Sequence, residues 1–178
     1  MLEYSEERAS VADYMRRLYE RGLTTSLGGN ISLRVEDIVL ITPAKVDKGR
    51  LTAEQIGIVS MEGEVLTPDI GLSVETEMHL SVLRNRKDIS AVIHAHPAIA
   101  TFFAAADVDI DTTLTAEAFM VLGVPLKAPY AALPVSAGVQ PDARFFAGRT
   151  QRQVQQVLER FQAVAVPPNK DIRVLTLY

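Results

Sequence analysis

The sequence predicts an α/β protein, with helices layered around one central sheet. Two observations carry this prediction: short β-branched runs read as hairpins, and segments with apolar residues at helical spacing lie between them. The chain has 178 residues, of which 48% are apolar and 22% charged, as in an ordinary globular protein with a substantial core. No repeat, low-complexity stretch or linker interrupts it. We therefore expect residues 1–178 to form a single domain.

The first third of the chain predicts a helix followed by two strand pairs. Val11, Met15 and Leu18 recur at helical spacing, with Ser5 as the expected N-cap and Gly22 as the stop. Residues 31–33 and 38–41 are β-rich runs on either side of a polar turn, which is typical of a hairpin. A second pair of strands is expected at 56–60 and 63–66.

The remaining elements alternate between helix and strand. The pattern predicts a helix over 74–85, a buried strand over 89–93, a helix over 97–106 and another near 117–122. Further on, it predicts a strand over 124–128, an amphipathic helix over 151–164 and a closing strand over 172–178.

Composition excludes several classes of function. There is no cysteine, hence no disulfide, thiolate metal site or cysteine nucleophile. The formal net charge is −4 and no basic stripe suggests a nucleic-acid partner. No apolar run approaches the ~20 residues of a membrane span, and residues 1–9 lack a signal-peptide core. We expect a cytoplasmic protein with a small-molecule partner.

The most informative feature is a pair of histidines one residue apart. The chain has three histidines in all, and His94 and His96 follow a β-branched strand. On an extended segment, alternate side chains project from the same face, so the two imidazoles are expected to lie side by side. Such a pair can bind a divalent transition metal, and without cysteine the remaining ligands must be nitrogen or oxygen. Two histidines that merely bind backbone at a strand end remain the alternative.

Four stretches in order and spacing resemble the class II aldolase and adducin family. They are Gly28-Gly29-Asn30, Leu40-Ile41-Thr42-Pro43, Ser73-Val74-Glu75 with His79 four residues on, and His94-Ala95-His96-Pro97. The resemblance runs from the first helix to about residue 134. It implies a three-layer α/β/α sandwich around a largely antiparallel or mixed sheet, and a homo-oligomer, with a tetramer favoured.

The resemblance also implies a divalent-metal-dependent lyase. Enzymes of the family use Zn²⁺ or another divalent ion to polarise a substrate carbonyl, which implies His94 and His96 as metal ligands. Cleaving a C–C bond next to a carbonyl leaves an enediolate, whose charge needs a Lewis acid and whose carbon must gain or lose a proton. By the same resemblance Glu75 is the catalytic acid or base and also approaches the metal in the free enzyme. We interpret His79, on the same helical face, as a buried structural residue.

The loops before these residues suggest a site for a substrate anion, phosphate in some relatives. Glycines let backbone amides approach an anion closely. We assign this role to Gly29, Asn30, Thr42, Lys45 and Ser73.

The same loops depart from the pattern of phosphate-using relatives. Leu27, Ala44 and Val74 stand where those relatives carry small hydroxyl residues, and Lys45 replaces a glycine. Lys45 offers a point charge for a carboxylate or phosphate, or is a solvated loop residue. A phosphorylated substrate is thus an open expectation.

A third departure concerns the metal site. The family's remaining metal histidine follows a late strand, and here the chain ends at the corresponding point, so we expect a shortened member whose third ligand is unassigned. Two readings follow. One is an aldolase-type lyase acting on a small hydroxylated carbonyl compound, with decarboxylase and epimerase chemistry equally compatible. The other is a non-catalytic, adducin-like binding or assembly protein. Cupin-type oxygenase and amidohydrolase sites need further ligands that the chain does not offer.

Overall fold

The computed structural model describes residues 2–106 and 108–122. Within them the chain divides into a unit ending at His96 and a second unit beginning at Pro97. The first unit contains helix α1 (Ser5–Glu20), strands β1 (Asn30–Val35), β2 (Ile38–Ile41) and β3 (Gly57–Ser60), helix α2 (Thr76–Asn85) and strand β4 (Ala91–His94). Short 3₁₀ turns occupy Lys48–Arg50 and Ala53–Gln55.

The four strands form one antiparallel sheet in the order β3-β2-β1-β4. β1 and β2 form the predicted hairpin, closed by Glu36 in the left-handed region at φ 53° and by Asp37. β4 pairs with the other edge of β1, and this register sets Asn30 directly opposite His94. The pairing of distant strands thereby brings two candidate site residues together.

Each face of the sheet is covered by one helix. Ile31 and Leu40 pack with Val11 and Met15 of α1 in a buried apolar core. The alternate residues of β1 point the other way, where Ser32 contacts His79 of α2 and Arg34 donates to the carbonyl of Leu83. Residues 2–96 are therefore arranged in three layers, helix on sheet on helix.

The second unit, as far as residue 122, is helical. It contains α3 (Ala98–Ala105), a 3₁₀ turn at Thr112–Leu114 and α4 (Ala116–Leu122). Thr115 starts α4, its Oγ1 accepting a hydrogen bond from the amide of Ala118 at 3.1 Å. No helix among the residues described in either unit is both long and apolar enough to cross a bilayer.

Most predicted elements are present, with differences at their boundaries. Ser5 is the first residue of α1 rather than its N-cap; the cap is Tyr4, in the left-handed region and without a side-chain bond. The strand predicted at 63–66 is reduced to one bridge between Val65 and Val59. The elements predicted at 124–128, 151–164 and 172–178 lie outside the described residues.

Candidate active site

Three chain segments meet at the amino-terminal end of α2. β1 supplies Asn30, β4 supplies His94 opposite it, and Glu75 is the residue immediately before the first turn of α2. Asn30 and His94 are almost completely buried, whereas the side chain of Glu75 remains 18% exposed. The group is thus anchored in the interior and open on the side of the carboxylate.

His94 and His96 face each other as the sequence predicted. Their Nε2 atoms are 3.0 Å apart, and their ring planes are inclined by 63°. His96 lies just beyond β4, where its amide donates to the carbonyl of Leu23 at 3.0 Å. Its side chain is exposed, and burial of part of the ring together with the nearby His94 lowers its pKa.

Glu75 binds the other side of the His94 ring. Its Oε2 accepts hydrogen bonds from His94 Nδ1 at 2.8 Å and from Asn30 Nδ2 at 2.5 Å. Burial raises the pKa of Glu75, but the hydrogen bond and charge of His94 and the bond from Asn30 outweigh it, so the pKa lies below its usual value. Glu75 is therefore a carboxylate at neutral pH.

The chemistry of the pair fits a divalent cation. The contact from His94 Nδ1 to a carboxylate requires a proton on Nδ1, which leaves the Nε2 of a neutral ring free as a ligand. Two nitrogens bound tetrahedrally to one Zn²⁺ lie roughly 3.3 Å apart, close to the 3.0 Å observed. Across 2–106 and 108–122, no three His, Asp or Glu side chains are grouped as a metal site. The described residues would thus offer a cation two nitrogen ligands, with Glu75 bonded to the opposite side of the His94 ring.

Behind Glu75 lies a buried polar cluster that sequence reasoning missed. Asn30 Oδ1 contacts His79 Nε2, and His79 Nδ1 contacts Ser32 Oγ at 2.7 Å. His79 is fully buried, as expected, and burial, with a smaller effect of the nearby His94, lowers its pKa to about 3. The sequence contained a signal for this cluster. Asn30 and Ser32 are two residues apart on a strand and so share a face, and His79 is four residues after Glu75 on a helix.

The predicted anion-binding residues are distributed unevenly around the site. Ser73 joins the cluster, its Oγ accepting from Asn30 Nδ2 at 3.0 Å and from the Glu75 amide at 3.3 Å. Gly29 adopts φ +68°, and a Cβ there would lie 2.8 Å from the carbonyl oxygen of His94, so only glycine fits without strain. Thr42 is fully buried, and its Oγ1 accepts from the amide of Ile31, a contact that holds β1 rather than one open to a ligand.

Two lysines of the following loop differ in environment. Lys45 is exposed in the left-handed region at φ 56°, and the structure does not bring it into the cluster. Lys48 is buried, its ammonium donates to the carbonyl of Pro43, and burial lowers its pKa. Its amide also donates to the carbonyl of Ser26, which ties this loop to the glycine loop.

Gly28 is also required by close packing at the site. A Cβ at this position would lie 2.7 Å from Thr25 Oγ1 and 3.1 Å from His96 Nδ1. The missing side chain therefore allows the His96 ring to lie against the loop. The sequence could not reveal this, because the contact depends on the tertiary position of His96.

The chain is similar in sequence to proteins named as aldolases and as a decarboxylase. The chain is 36% identical over 107 residues to an L-fuculose phosphate aldolase of Methanococcus maripaludis, covering 60% of this chain and 58% of that protein. It is 34% identical over 93 residues to a 5-deoxy-D-ribulose 1-phosphate aldolase of Bacillus thuringiensis, covering 51% and 44%. A 3-oxo-tetronate 4-phosphate decarboxylase of Haemophilus influenzae is 36% identical over 93 residues, covering 52% and 44%. The chain thus spans about half the length of these relatives.

Solved structures confirm the fold class. An L-fuculose 1-phosphate aldolase superposes with a TM-score of 0.65 at 23% identity, covering 94% of this chain and 93% of that one. The L-fuculose-1-phosphate aldolase of Thermus thermophilus superposes with a TM-score of 0.61 at 23% identity, covering 90% and 100%. The sequence pattern of the Class II Aldolase and Adducin N-terminal domain matches residues 9–165. The chain therefore belongs to the class II aldolase and adducin family.

Proposed function

We propose that this protein is a divalent-metal-dependent lyase of the aldolase type. It would cleave or form a C–C bond next to a carbonyl in a small hydroxylated, sugar-like substrate. The single observation that carries the proposal is the placement of Glu75. Its carboxylate is partly exposed and is held by Asn30 and by His94, whose other nitrogen faces His96.

His94 and His96 would hold the cation through their Nε2 atoms. When bound, a Zn²⁺ or similar ion supplies a Lewis acid that polarises a carbonyl. The protein's own contribution is to present the two nitrogens close together. Glu75 assists by accepting from His94 Nδ1, which fixes the tautomer and the orientation of that ring.

Glu75 would also transfer the proton that the reaction requires. Its lowered pKa keeps it ionised at neutral pH, so it can accept a proton from a substrate hydroxyl or carbon. The hydrogen bonds from Asn30 and His94 restrict the carboxylate to one position. Its exposed edge lets a substrate approach.

Substrate binding would use the residues beside this carboxylate. Ser73 keeps its hydroxyl proton for a substrate oxygen, since both of its observed bonds are accepted. Gly29 and Asn30 lie at the same corner. Lys45 lies outside this cluster, and its exposed positive charge would serve only an anionic group of the substrate that extends to it. The buried Thr42 would position β1 rather than contact the substrate. Phosphorylated sugars are the first substrates to test, because both aldolase relatives are named for sugar phosphates.

The test is an assay of the full chain supplied with Zn²⁺, Mn²⁺ or Co²⁺. L-Fuculose 1-phosphate, 5-deoxy-D-ribulose 1-phosphate and the unphosphorylated sugars are incubated in D₂O. Aldehyde release and deuterium incorporation next to the carbonyl are then measured. We expect turnover of at least one ketose, reduced about 10²–10⁴-fold in Glu75→Gln. Equal turnover in Glu75→Gln would contradict the role of Glu75.

A non-catalytic, adducin-like binding role is the second candidate. It is favoured by the lack of a third metal ligand among the residues that the structure describes. A folded, metal-free protein without turnover or deuterium exchange would support it. A 3-oxo acid phosphate added to the assay distinguishes decarboxylation, the activity for which the Haemophilus relative is named.

We also propose a homo-oligomer, for which a tetramer is the first expectation. In support, residues 97–122 expose several large apolar side chains, among them Ile99 at 75%, Phe102 at 67% and Leu114 at 80%. Such side chains are commonly covered by association. The mass of the protein in solution tests this directly.

A further inference from the structure

A continuous series of hydrogen bonds runs from the interior of the first unit to the proposed metal ligands. It begins at Ser32 on β1, passes through His79 on α2 and Asn30 on β1, and reaches Glu75 and then His94. Ser32, His79 and Asn30 are buried, at 0%, 0% and 4% exposure. Solvent cannot replace a lost partner there, so each bond depends on the next.

Which atom donates in each of these hydrogen bonds follows from the ionised carboxylate of Glu75. An ionised Glu75 can only accept, so Asn30 must turn Nδ2 toward it, and this leaves Oδ1 toward His79. Oδ1 can only accept, so the proton of His79 must be on Nε2. A neutral ring then has a lone pair on Nδ1, which accepts from the hydroxyl of Ser32. Burial keeps His79 neutral by lowering its pKa to about 3.

The side-chain amide of Asn30 has two orientations, related by exchange of Nδ2 and Oδ1, that fill almost the same space. Only the observed one presents a donor to Glu75. In the other, Oδ1 would face the carboxylate of Glu75 and repel it. Because the two ends of an amide differ little in size, hydrogen bonding rather than packing selects between them. Ser73 Oγ accepts from the same Nδ2 but, as a hydroxyl, could equally donate to an oxygen placed there. The acceptor Glu75 and the donor His79, on opposite ends of the amide, together hold this orientation.

We propose that His79 is a positioning residue that fixes the amide of Asn30 and, through it, the carboxylate of Glu75 and the ring of His94. This inference rests on the proposed function, in which Glu75 and His94 are the acting groups. It assigns His79 a specific tautomer and a specific donor atom. A histidine that merely filled space in the core would need neither.

Two variants separate positioning from space filling. His79→Gln keeps an N–H donor near the position of Nε2, whereas His79→Leu removes the donor and keeps an apolar side chain of moderate size. Ser81→Ala is the matched control, since Ser81 is buried on the same helix and is outside the series. Zn²⁺ affinity is measured by titration of each chelator-treated protein. We expect His79→Leu to weaken binding about 10- to 100-fold, and His79→Gln and Ser81→Ala to stay within about threefold of the parent.

A spectroscopic measurement on the unmodified chain makes the test independent of how the variants fold. Only three histidines contribute to the imidazole ¹⁵N spectrum, and His79 is assigned by the signals lost in His79→Gln. In metal-free protein at neutral pH we expect His79 as the Nε2–H tautomer and His94 protonated on Nδ1. The Nδ1–H tautomer for His79, or equal zinc affinity in the Gln and Leu variants, would overturn the proposal. Failure of the parent to bind zinc would refute the proposed function, while the tautomer still decides the role of His79.

Discussion

Strand β1 has two faces that are buried equally and built differently. Ile31, on the face toward α1, is 4% exposed and its side chain belongs to the apolar core. Asn30 and Ser32, on the face toward α2, are 4% and 0% exposed and are bonded to Glu75 and His79. Burial alone therefore does not distinguish core from site along this strand. The difference lies in whether each buried group needs a particular partner.

The comparison teaches how much each face tolerates. An apolar contact is non-directional, so the core loses stability in proportion to the volume removed. When a buried donor or acceptor loses its partner, the free energy of unfolding falls by the desolvation cost of that group. The neighbouring side chain also loses the hydrogen bond that held it in place. Changes on the α1 face should thus affect stability, and changes on the α2 face should affect the site.

The largest changes in stability and zinc affinity are expected from two separate alanine variants, one on each face of β1. Ile31→Ala should lower the free energy of unfolding by about 2–5 kcal/mol and leave the zinc affinity of the folded protein unchanged. Asn30→Ala should cost about 1–3 kcal/mol, because Glu75 and His79 each lose a partner, and should weaken zinc binding about tenfold or more. Urea denaturation and zinc titration measure the two quantities. Asn85→Ala, an exposed amide at the end of α2, is the control. Equal zinc affinity in Ile31→Ala and Asn30→Ala would remove the distinction between the faces.

Acid should destabilise the α2 face through His79. Its folded-state pKa is lowered to about 3, whereas an unfolded histidine titrates near 6.5. Between these values the unfolded chain binds a proton that the folded chain does not, so stability is complete above about pH 6.5 and falls as the pH is lowered. From pH 6.5 to 4 we expect a loss of roughly 2–3 kcal/mol that is missing in His79→Gln. Urea denaturation across this range measures the difference, and parallel curves for the two proteins would contradict it.

A smaller effect is expected at the glycine loop. Gly28→Ala should push the His96 ring away from the loop and weaken zinc binding about tenfold, with a stability loss of about 1 kcal/mol. Gly71→Ala is the matched control, since a Cβ there meets nothing within 4 Å. Zinc titration of both variants is the measurement. An unchanged affinity in Gly28→Ala would show that the ring does not depend on this close approach.

Among the described residues, local sequence pattern predicted most helices and strands and the side-by-side placement of the two histidines, but not the single bridge found in place of the strand expected at 63–66. Period-two alternation predicted that His94 and His96 share a face, and their facing nitrogens confirm it. Helical spacing predicted α1 and α2, although the cap of α1 was misplaced by one residue, from Tyr4 to Ser5. Cap positions depend on backbone conformation, which side-chain pattern specifies only loosely.

Local sequence pattern could not predict which side chains bond to one another within the site. Asn30 meets His94 only because β1 and β4 pair across some sixty residues in this register. The link from Asn30 to His79 depends on how α2 packs against the sheet. Thr42 was expected from its hydroxyl to contact a substrate anion. In the structure that hydroxyl accepts a hydrogen bond from the amide of Ile31 instead. Residue type indicates which bonds a side chain can make, whereas tertiary structure decides which it makes.

The central claim is that His94 and His96 together bind one divalent cation, with Glu75 supporting His94. Titration of the chelator-treated 178-residue chain with Zn²⁺, alongside a His94→Ala and His96→Ala double variant, tests it most directly. The account predicts about one Zn²⁺ per chain in the parent and loss of that binding in a folded double variant. A folded parent that binds no zinc, or a double variant that binds it as tightly, would contradict the account.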